Sequence, residues 1–258
     1  MSTVIYPSPI FGPIHSRRLG ISLGINLMPD DGKICTFDCI YCECGFNADF
    51  RPKHHRPTLQ QVSAALEAKL KEMHADGVHP DVLTFAGNGE PTTHPDFLAI
   101  IRETRRLRDL YCPAAKVSVL SNSTMSMRED VHEALMLVDN NILKLDTVDP
   151  VYINNVDRPT GKYDVDEIIR TLASFQGHVI IQSMFMKGRI DDFDVDNTTE
   201  KYVAPWLEAV RKIAPQEVMV YTIDRETPDR ELKKATHEEL DAIRDRVIAA
   251  GISCQASY

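Results

Sequence analysis

Short apolar runs alternate with amphipathic helical patterns along most of this sequence, and no other feature limits its fold as much. The runs are rich in β-branched residues, which is typical of strands buried on both faces of a parallel sheet. Strands are predicted at Ile21–Met28, Val82–Ala86, Lys116–Leu120, Ile142–Leu145, Val179–Met186 and Val218–Ile223. Helix starts are predicted at Thr58, Pro95, Ser126, Asp164 and Thr236, and a further helix is predicted from the apolar stripe Val203, Trp206, Leu207, Val210 and Ile213.

Six such units predict an α/β fold, a partial (β/α)6 barrel that is open and splayed. Right-handed crossovers curl a parallel sheet toward a barrel, but a closed barrel needs eight units. The chain has 258 residues, which suits a single domain over residues 1–258. Within it, residues 1–20 are predicted to be an irregular lead-in. Residues 30–57 lack periodicity and are predicted to form one long loop, and loops of that length are usually functional.

Three cysteines lie close together in that loop, at the spacing C-x3-C-x2-C. Thiolates so close in sequence can converge on one metal centre, and Cys35, Cys39 and Cys42 would leave a fourth position open. Because the loop follows the first strand, it falls at the carboxyl end of the sheet, where such folds place their active sites. A closed zinc site with Cys44 as fourth ligand is the alternative, although the single residue between Cys42 and Cys44 is awkward for it.

A glycine-rich turn follows the second strand, at the same end of the sheet. It reads Gly87-Asn88-Gly89-Glu90-Pro91. Glycines let a backbone approach a ligand closely, and Glu90 offers a carboxylate acceptor for an ammonium group. Small polar residues end the later strands, among them Asn122 after the third strand and Asp146 after the fourth.

Together the two motifs resemble the radical S-adenosylmethionine (SAM) superfamily, whose cysteine motif also carries an aromatic residue where Tyr41 stands. The resemblance implies one 4Fe–4S cluster with Cys35, Cys39 and Cys42 as ligands, and SAM on its fourth iron. It also implies that Tyr41 packs near the adenine and that the turn binds the SAM amino group. The implied cofactor-binding residues are Tyr41, Gly87, Asn88, Gly89, Glu90, Asn122 and Asp146.

This resemblance also implies an activity. A radical SAM enzyme reductively cleaves SAM to a 5′-deoxyadenosyl radical, which abstracts hydrogen from the substrate. Here the substrate is unidentified, and we expect a small molecule or a peptide. An electron donor such as a flavodoxin or a ferredoxin is implied as a partner.

The region before the cysteines resembles a branch related to the tRNA wyosine synthases. Residues 12–26 and the turn carry this likeness, but no cysteine precedes Cys35 to bind the second cluster of those enzymes. The formal net charge of -9 also disfavours a nucleic-acid partner. RNA nucleobase modification and glycyl-radical activation of a partner protein remain alternative functions. A non-catalytic, zinc-stabilised binding module is the alternative of another class.

Three basic residues have open roles. Arg17 and Arg18 could contact an anionic substrate or the SAM carboxylate, or form a surface pair. Lys144 would be a buried amine if it faces the barrel lumen. The sequence shows no signal peptide and no apolar stretch long enough to span a bilayer, so we expect a cytoplasmic protein.

Overall fold

A curled sheet of eight strands forms the centre of the computed structural model, which describes residues 4–16, 19–228 and 231–258. Arg17 and Arg18 lie outside these residues. In chain order the strands are β1 (Ile10–Ser16), β2 (Gly20–Ile25), β3 (Val82–Phe85), β4 (Lys116–Ser121), β5 (Asn140–Lys144), β6 (Ile180–Met184), β7 (Met186–Lys187), β8 (Arg189–Ile190), β9 (Phe193–Asp194), β10 (Glu217–Tyr221), β11 (Lys233–Lys234) and β12 (Cys254–Ser257).

The main sheet has the order β1-β2-β3-β4-β5-β6-β10-β12. All neighbours from β2 onward pair in parallel, and β1 pairs with β2 antiparallel. The short strands form two small ribbons, β7 with β11 and β8 with β9. An α/β partial barrel is therefore confirmed, since the sheet is curled but its two end strands do not pair.

Helices connect the parallel strands. They are α1 (Leu59–Ala75), α2 (Phe97–Tyr111), α3 (Glu129–Leu137), α4 (Pro150–Val156), α5 (Val165–Ser174), α6 (Glu200–Ile213) and α7 (His237–Ala249), with a 3-10 turn at Pro91–Thr93. Among the described residues, none of these helices has both the length and the apolar character needed to cross a bilayer.

Alternate side chains of the strands face two different layers. Leu23, Leu83 and Val117 pack outward into the large core beneath the helices. Residues one step away in register, such as Leu120 and Ile142, face inward and pack in a small cluster inside the curl. This two-residue period leaves the inner face free to carry the functional site at the carboxyl ends of the strands.

Two sequence predictions need correction. The lead-in is not irregular over residues 10–16, which form β1. The strand was not predicted because Pro9, Gly12 and Pro13 interrupt the alternation of apolar and polar residues that is typical of a strand. The pairing of β1 with β2 is also irregular, since its register shifts between Phe11 and Ile14. The Ser126 cap is also wrong: α3 begins at Glu129, and the Ser126 hydroxyl donates to the Ser123 carbonyl oxygen at 2.7 Å.

Candidate active site

The cysteine loop is fixed by backbone hydrogen bonds on two sides, to the glycine turn on one and to α4 on the other. On one side the Ile34 amide donates to the Asn88 carbonyl at 3.0 Å, and the Glu90 amide donates to the Ile34 carbonyl at 3.1 Å. On the other side the Ile40 amide donates to the Val156 carbonyl at 3.0 Å, at the end of α4. Cys35 is thereby brought beside the glycine turn, and Cys39 beside α4.

Asn47 holds the loop from within. Its Oδ1 accepts from the Cys35 amide at 3.1 Å, and its Nδ2 donates to the carbonyls of Cys35 and Phe37 at 3.2 and 3.1 Å. Its own amide donates to Asp38 Oδ1 at 2.7 Å. One asparagine thus satisfies backbone groups that a loop without secondary structure would leave unpaired.

A buried lysine lies among the three cysteines. The Lys33 ammonium donates to the Gly45 carbonyl at 2.6 Å and lies 3.6 Å from Asp38. Burial alone would lower its pKa, but Cys42, Cys35 and Cys39, in that order, together with Asp38, raise it above its ordinary value. Lys33 is therefore a fixed positive charge at the thiols, and sequence reasoning missed it because an isolated lysine carries no signal.

Cys44 contacts the site without joining the cysteine motif. Its sulfur is buried and lies 3.5 Å from the Gly87 carbonyl oxygen. A hydrogen bond from Cys44 is the main reason that the pKa of Cys42 is lowered to about 6, with Lys33 adding to the effect. Cys44 thus favours the thiolate form of Cys42.

The glycine turn requires its glycines. Gly87 has φ of 122° and Gly89 has φ of 135°, in the region that side chains disfavour. A Cβ on Gly89 would lie 1.9 Å from the Ile34 carbonyl oxygen. The close pairing of the turn with the cysteine loop therefore depends on Gly89.

The two polar side chains of this turn are engaged by the protein itself. Asn88 Nδ2 donates to the carbonyls of Tyr6 and Pro29 at 2.8 Å, and its Oδ1 accepts from the Tyr6 amide. Glu90 is buried and accepts from the Thr92 amide at 3.1 Å, the Thr92 hydroxyl and the Asn122 amide at 2.7 Å. Burial raises the pKa of Glu90, and these hydrogen bonds oppose that rise.

Asn122 reaches the cysteine loop from the end of β4. Its Nδ2 donates to the Thr36 hydroxyl at 2.8 Å and lies 3.6 Å from the Cys35 sulfur. Its Oδ1 accepts from the amide and the hydroxyl of Thr124. The structure thus brings Asn122 next to a predicted metal ligand.

Asp146 belongs to a buried ionic network with Lys144. The Lys144 ammonium lies 2.9 Å from both Asp146 Oδ2 and Asp157 Oδ1, and it lies over the Tyr41 ring at 4.4 Å. The Tyr41 hydroxyl donates to Asp146 Oδ2 and, at 3.2 Å, to Asp157 Oδ1. Burial would lower the pKa of Lys144, but Asp146 and Asp157 raise it well above its ordinary value.

Asp157 is a residue of the site that the sequence predictions missed. It follows α4, a helix of seven residues that is too short for a periodic pattern. The signal available was Asp149 followed by Pro150, since the Asp149 side chain caps α4 and proline occupies its first position. Burial raises the pKa of Asp157 to about 7, although Lys144 opposes this.

A cavity of about 380 Å³ opens beside these groups, inside the curl of the sheet. Tyr41, Cys42 and Gly87 line one part of it, and Tyr221 and Arg225 line another. Both β2 and β10, each next to an end strand of the sheet, contribute lining residues to the cavity. A space of this size suits a small ligand.

A three-residue contact, which we call the latch, lies at the edge of this cavity. The Tyr6 hydroxyl donates to Glu43 Oε1 at 2.8 Å, and Arg225 Nη1 lies 2.7 Å from Glu43 Oε2. Arg225 also donates to the Tyr6 hydroxyl. The latch connects the N-terminal segment, the cysteine loop and the loop after β10.

A family model described as "Radical SAM superfamily" matches residues 31–200, which is well over half of the chain. The match includes the cysteine loop, the glycine turn and the Lys144 network.

Curated relatives are longer than the chain. It is 28% identical over 236 residues to a protein named GTPase Obg from Brachyspira hyodysenteriae, covering 90% of this chain and 32% of that protein. It is 31% identical over 220 residues to a UPF0026 protein of Helicobacter pylori, covering 84% of this chain and 66% of that protein. The chain thus spans about a third of the first relative and about two thirds of the second.

A solved structure has the same fold. A radical SAM methyltransferase from Sphaerobacter thermophilus superposes with a TM-score of 0.66 at 12% identity, covering 92% of this chain and 66% of that one. At this identity the likeness concerns the fold alone. The narrower resemblance to wyosine synthases stays a prediction.

Proposed function

This chain belongs to the radical SAM superfamily, and we propose that it binds one 4Fe–4S cluster and SAM to abstract hydrogen from a small molecule or a peptide. Membership of the family supports SAM-dependent radical chemistry. The type of cluster, the residues that hold the cofactors and the substrate class are our proposal.

Cys35, Cys39 and Cys42 are suitable ligands for an iron–sulfur cluster. All three thiols are free and half-buried. Among the described residues, only Asp30, Asp31 and His54 place three ligand atoms within 4.8 Å of one another, so at least two of the three sulfurs are farther apart than that. Sulfurs on one tetrahedral zinc ion would lie about 3.8 Å apart. The wider spacing favours a larger inorganic unit over a single zinc ion.

When bound, a reduced 4Fe–4S cluster supplies the electron that cleaves SAM to a 5′-deoxyadenosyl radical. The residues of this chain bind, orient and shield these groups. Lys33 places a positive charge among thiolates that together carry negative charge. Asn47 and the pairing of Ile34 with the glycine turn fix the position of Cys35.

The single observation that carries the proposal is this pairing of the cysteine loop with the glycine turn. It places the segment from Gly87 to Glu90 directly beside Cys35. Since the side chains and most amides of this turn are bonded within the protein, we propose that it contacts SAM mainly at Gly87, which lines the cavity. Glu90 then serves to hold the turn against Asn122.

We assign the cavity to SAM and the substrate. SAM would lie against Tyr41, Cys42 and Gly87, and the part near Tyr221 and Arg225 would admit the reacting group of the substrate. The cavity volume supports a small molecule or one side chain of a peptide rather than a folded partner.

The test is anaerobic reconstitution of the purified chain with iron and sulfide, followed by reduction with dithionite in the presence of SAM. We expect about four iron and four sulfide ions per chain, and 5′-deoxyadenosine as a product. Cys39→Ala should lose both properties.

Cys254→Ala is the matched control, since Cys254 lies in β12 as a free, half-buried thiol. It should keep the iron content and the SAM cleavage of the unmodified chain. A colourless reconstituted protein that holds one zinc ion would contradict the proposal.

A further inference from the structure

Each cysteine of the motif has at least one hydrogen-bond donor, and these donors include both neutral and positively charged groups. Asn122 Nδ2 lies 3.6 Å from the Cys35 sulfur. The Cys44 thiol and the Lys33 ammonium both donate to Cys42. The Lys144 ammonium lies 3.7 Å from the Cys39 sulfur. Cys39 and Cys42 are therefore the two cysteines with an ammonium donor, and Cys39 is the one that a carboxyl group also contacts.

Cys39 also has a carboxyl neighbour. Asp157 Oδ1 lies 3.8 Å from the Cys39 sulfur and 2.9 Å from the Lys144 ammonium. The Cys39 sulfur therefore contacts both the ammonium group of Lys144 and the carboxyl group of Asp157. Asp146 is bonded to Lys144 and Tyr41, and no contact between it and the sulfur is seen among the described residues.

Lys144 cannot move away from Cys39 easily. Its ammonium is bonded to two carboxyl groups and lies over the rings of Tyr41 and Phe37, at 4.4 and 5.8 Å. The side chains of Lys144, Asp146 and Asp157 are almost fully buried. Charges held in a buried site are screened far less than charges in water.

Reduction of a cluster adds one electron, and with it one negative charge, to the unit formed by the cluster and its thiolates. A positive group that donates to a ligand sulfur stabilises the reduced form, and a carboxylate beside the same sulfur opposes it. Hydrogen bonds to the sulfurs and local charge are established controls on the reduction potentials of such clusters.

We propose that Lys144 and Asp157 act through Cys39 to set the reduction potential of the bound cluster, Lys144 raising it and Asp157 lowering it. This inference rests on the proposed function, because it requires a cluster at Cys39. Both are positioning residues, since they contact the ligand sulfur and not the reacting atoms.

The test is a redox titration of the reconstituted protein, followed by electron paramagnetic resonance of the reduced cluster. Lys144→Met should shift the midpoint to a more negative potential, and Asp157→Asn should shift it to a more positive one. We expect each change to alter the ratio of reduced to oxidised cluster about tenfold at a fixed potential, which is about 59 mV for a one-electron couple.

Two control variants change the same residue types away from the site. Lys187 pairs with Glu239, and Asp139 pairs with Arg108. Lys187→Met and Asp139→Asn should leave the midpoint where it is in the unmodified chain. A role of Lys144 or Asp157 in folding alone would change cluster yield without shifting the midpoint in opposite directions.

The outcomes separate this inference from the proposed function. If the unmodified chain binds no 4Fe–4S cluster, both fail. If it binds the cluster but the two variants leave the midpoint unchanged or shift it in the same direction, only the inference fails. Lys144→Met could lose the cluster because two carboxyl groups lose their partner. In that case the test rests on Asp157→Asn. A midpoint potential that is unchanged or more negative in Asp157→Asn overturns the inference.

Discussion

At the scale of single residues, the site depends on backbone positions as much as on side chains. Gly89 lets the turn pair with Ile34, and Glu90 holds the turn against Asn122. The motif spacing predicted which residues meet, but not that the polar groups of Asn88 and Glu90 would be bonded within the protein. Those bonds join residues up to 82 positions apart in the chain, which a local pattern does not reveal.

Gly89→Ala should disrupt the site. The new Cβ would lie 1.9 Å from the Ile34 carbonyl oxygen, at a positive φ. We expect a loss of roughly 2 to 5 kcal/mol in the free energy of unfolding, measured by urea denaturation, and a loss of bound iron. Gly161→Ala is the control, because a Cβ there would meet nothing within 4 Å; a similar loss for both variants would contradict the argument.

His94 should make the stability depend on pH. Its Nδ1 accepts from the Asp96 amide, so its Nε2 carries the proton and donates to the Pro57 carbonyl at 2.9 Å. Burial lowers the pKa of His94. The neutral ring is favoured in the folded state, so its stabilising contribution is present above the unfolded pKa of about 6.5 and is lost as the pH falls below it.

We expect the free energy of unfolding to fall by up to about 1.4 kcal/mol per pH unit just below that pH. His94→Gln should reduce this slope, measured by urea denaturation between pH 8 and about pH 5. His55→Gln, at an exposed position, should keep it. An unchanged slope in His94→Gln would show that other groups cause the dependence.

At the scale of helices and strands, the apolar periodicity predicted six strands of the main sheet and all but one of the helices. It missed β12 because Cys254–Ser257 is short and partly polar, and β1 because prolines interrupt it. It missed α4 because seven residues give two turns at most. These three elements were not predicted for the same physical reason: each is stabilised by contacts with residues distant in the chain rather than by its own apolar periodicity.

A complete capping box at a helix start should contribute more to the free energy of unfolding than a start without one. The Thr58 side chain accepts from the Gln61 amide, and the Gln61 side chain accepts from the Thr58 amide. Thr58→Ala should therefore cost about 1 kcal/mol in the free energy of unfolding. Thr199 begins α6 with no side-chain cap hydrogen bond, so Thr199→Ala should cost clearly less; equal costs would argue against the box.

At the scale of the whole molecule, the latch is the contact that connects distant parts of the chain around the cavity. Tyr6, Glu43 and Arg225 come from the N-terminal segment, the cysteine loop and the loop after β10. The sequence did not predict it, since none of the three residues lies in a motif. It is partly exposed, so we expect a modest effect that depends on salt.

Arg225→Met should make the cluster easier for oxygen to reach. Loss of a partly exposed ion pair costs about 0.2 to 1 kcal/mol, so cluster loss in air should be faster by a factor of up to about five. The decay of the cluster's visible absorbance measures this rate. Arg246→Met is the control, because Arg246 pairs with Glu200 on the surface; equal rates in both variants, or an effect that does not shrink in high salt, would contradict the role of the latch.

The end strands β1 and β12 have consequences for the choice of substrate. A closed barrel has a radius fixed by its own strand pairing, and widening it breaks hydrogen bonds. Here the barrel is open between β1 and β12, the two end strands, which do not pair with each other. An open sheet can change its curl through a change in twist while every strand keeps its partners, so we expect this fold to accommodate substrates of different width.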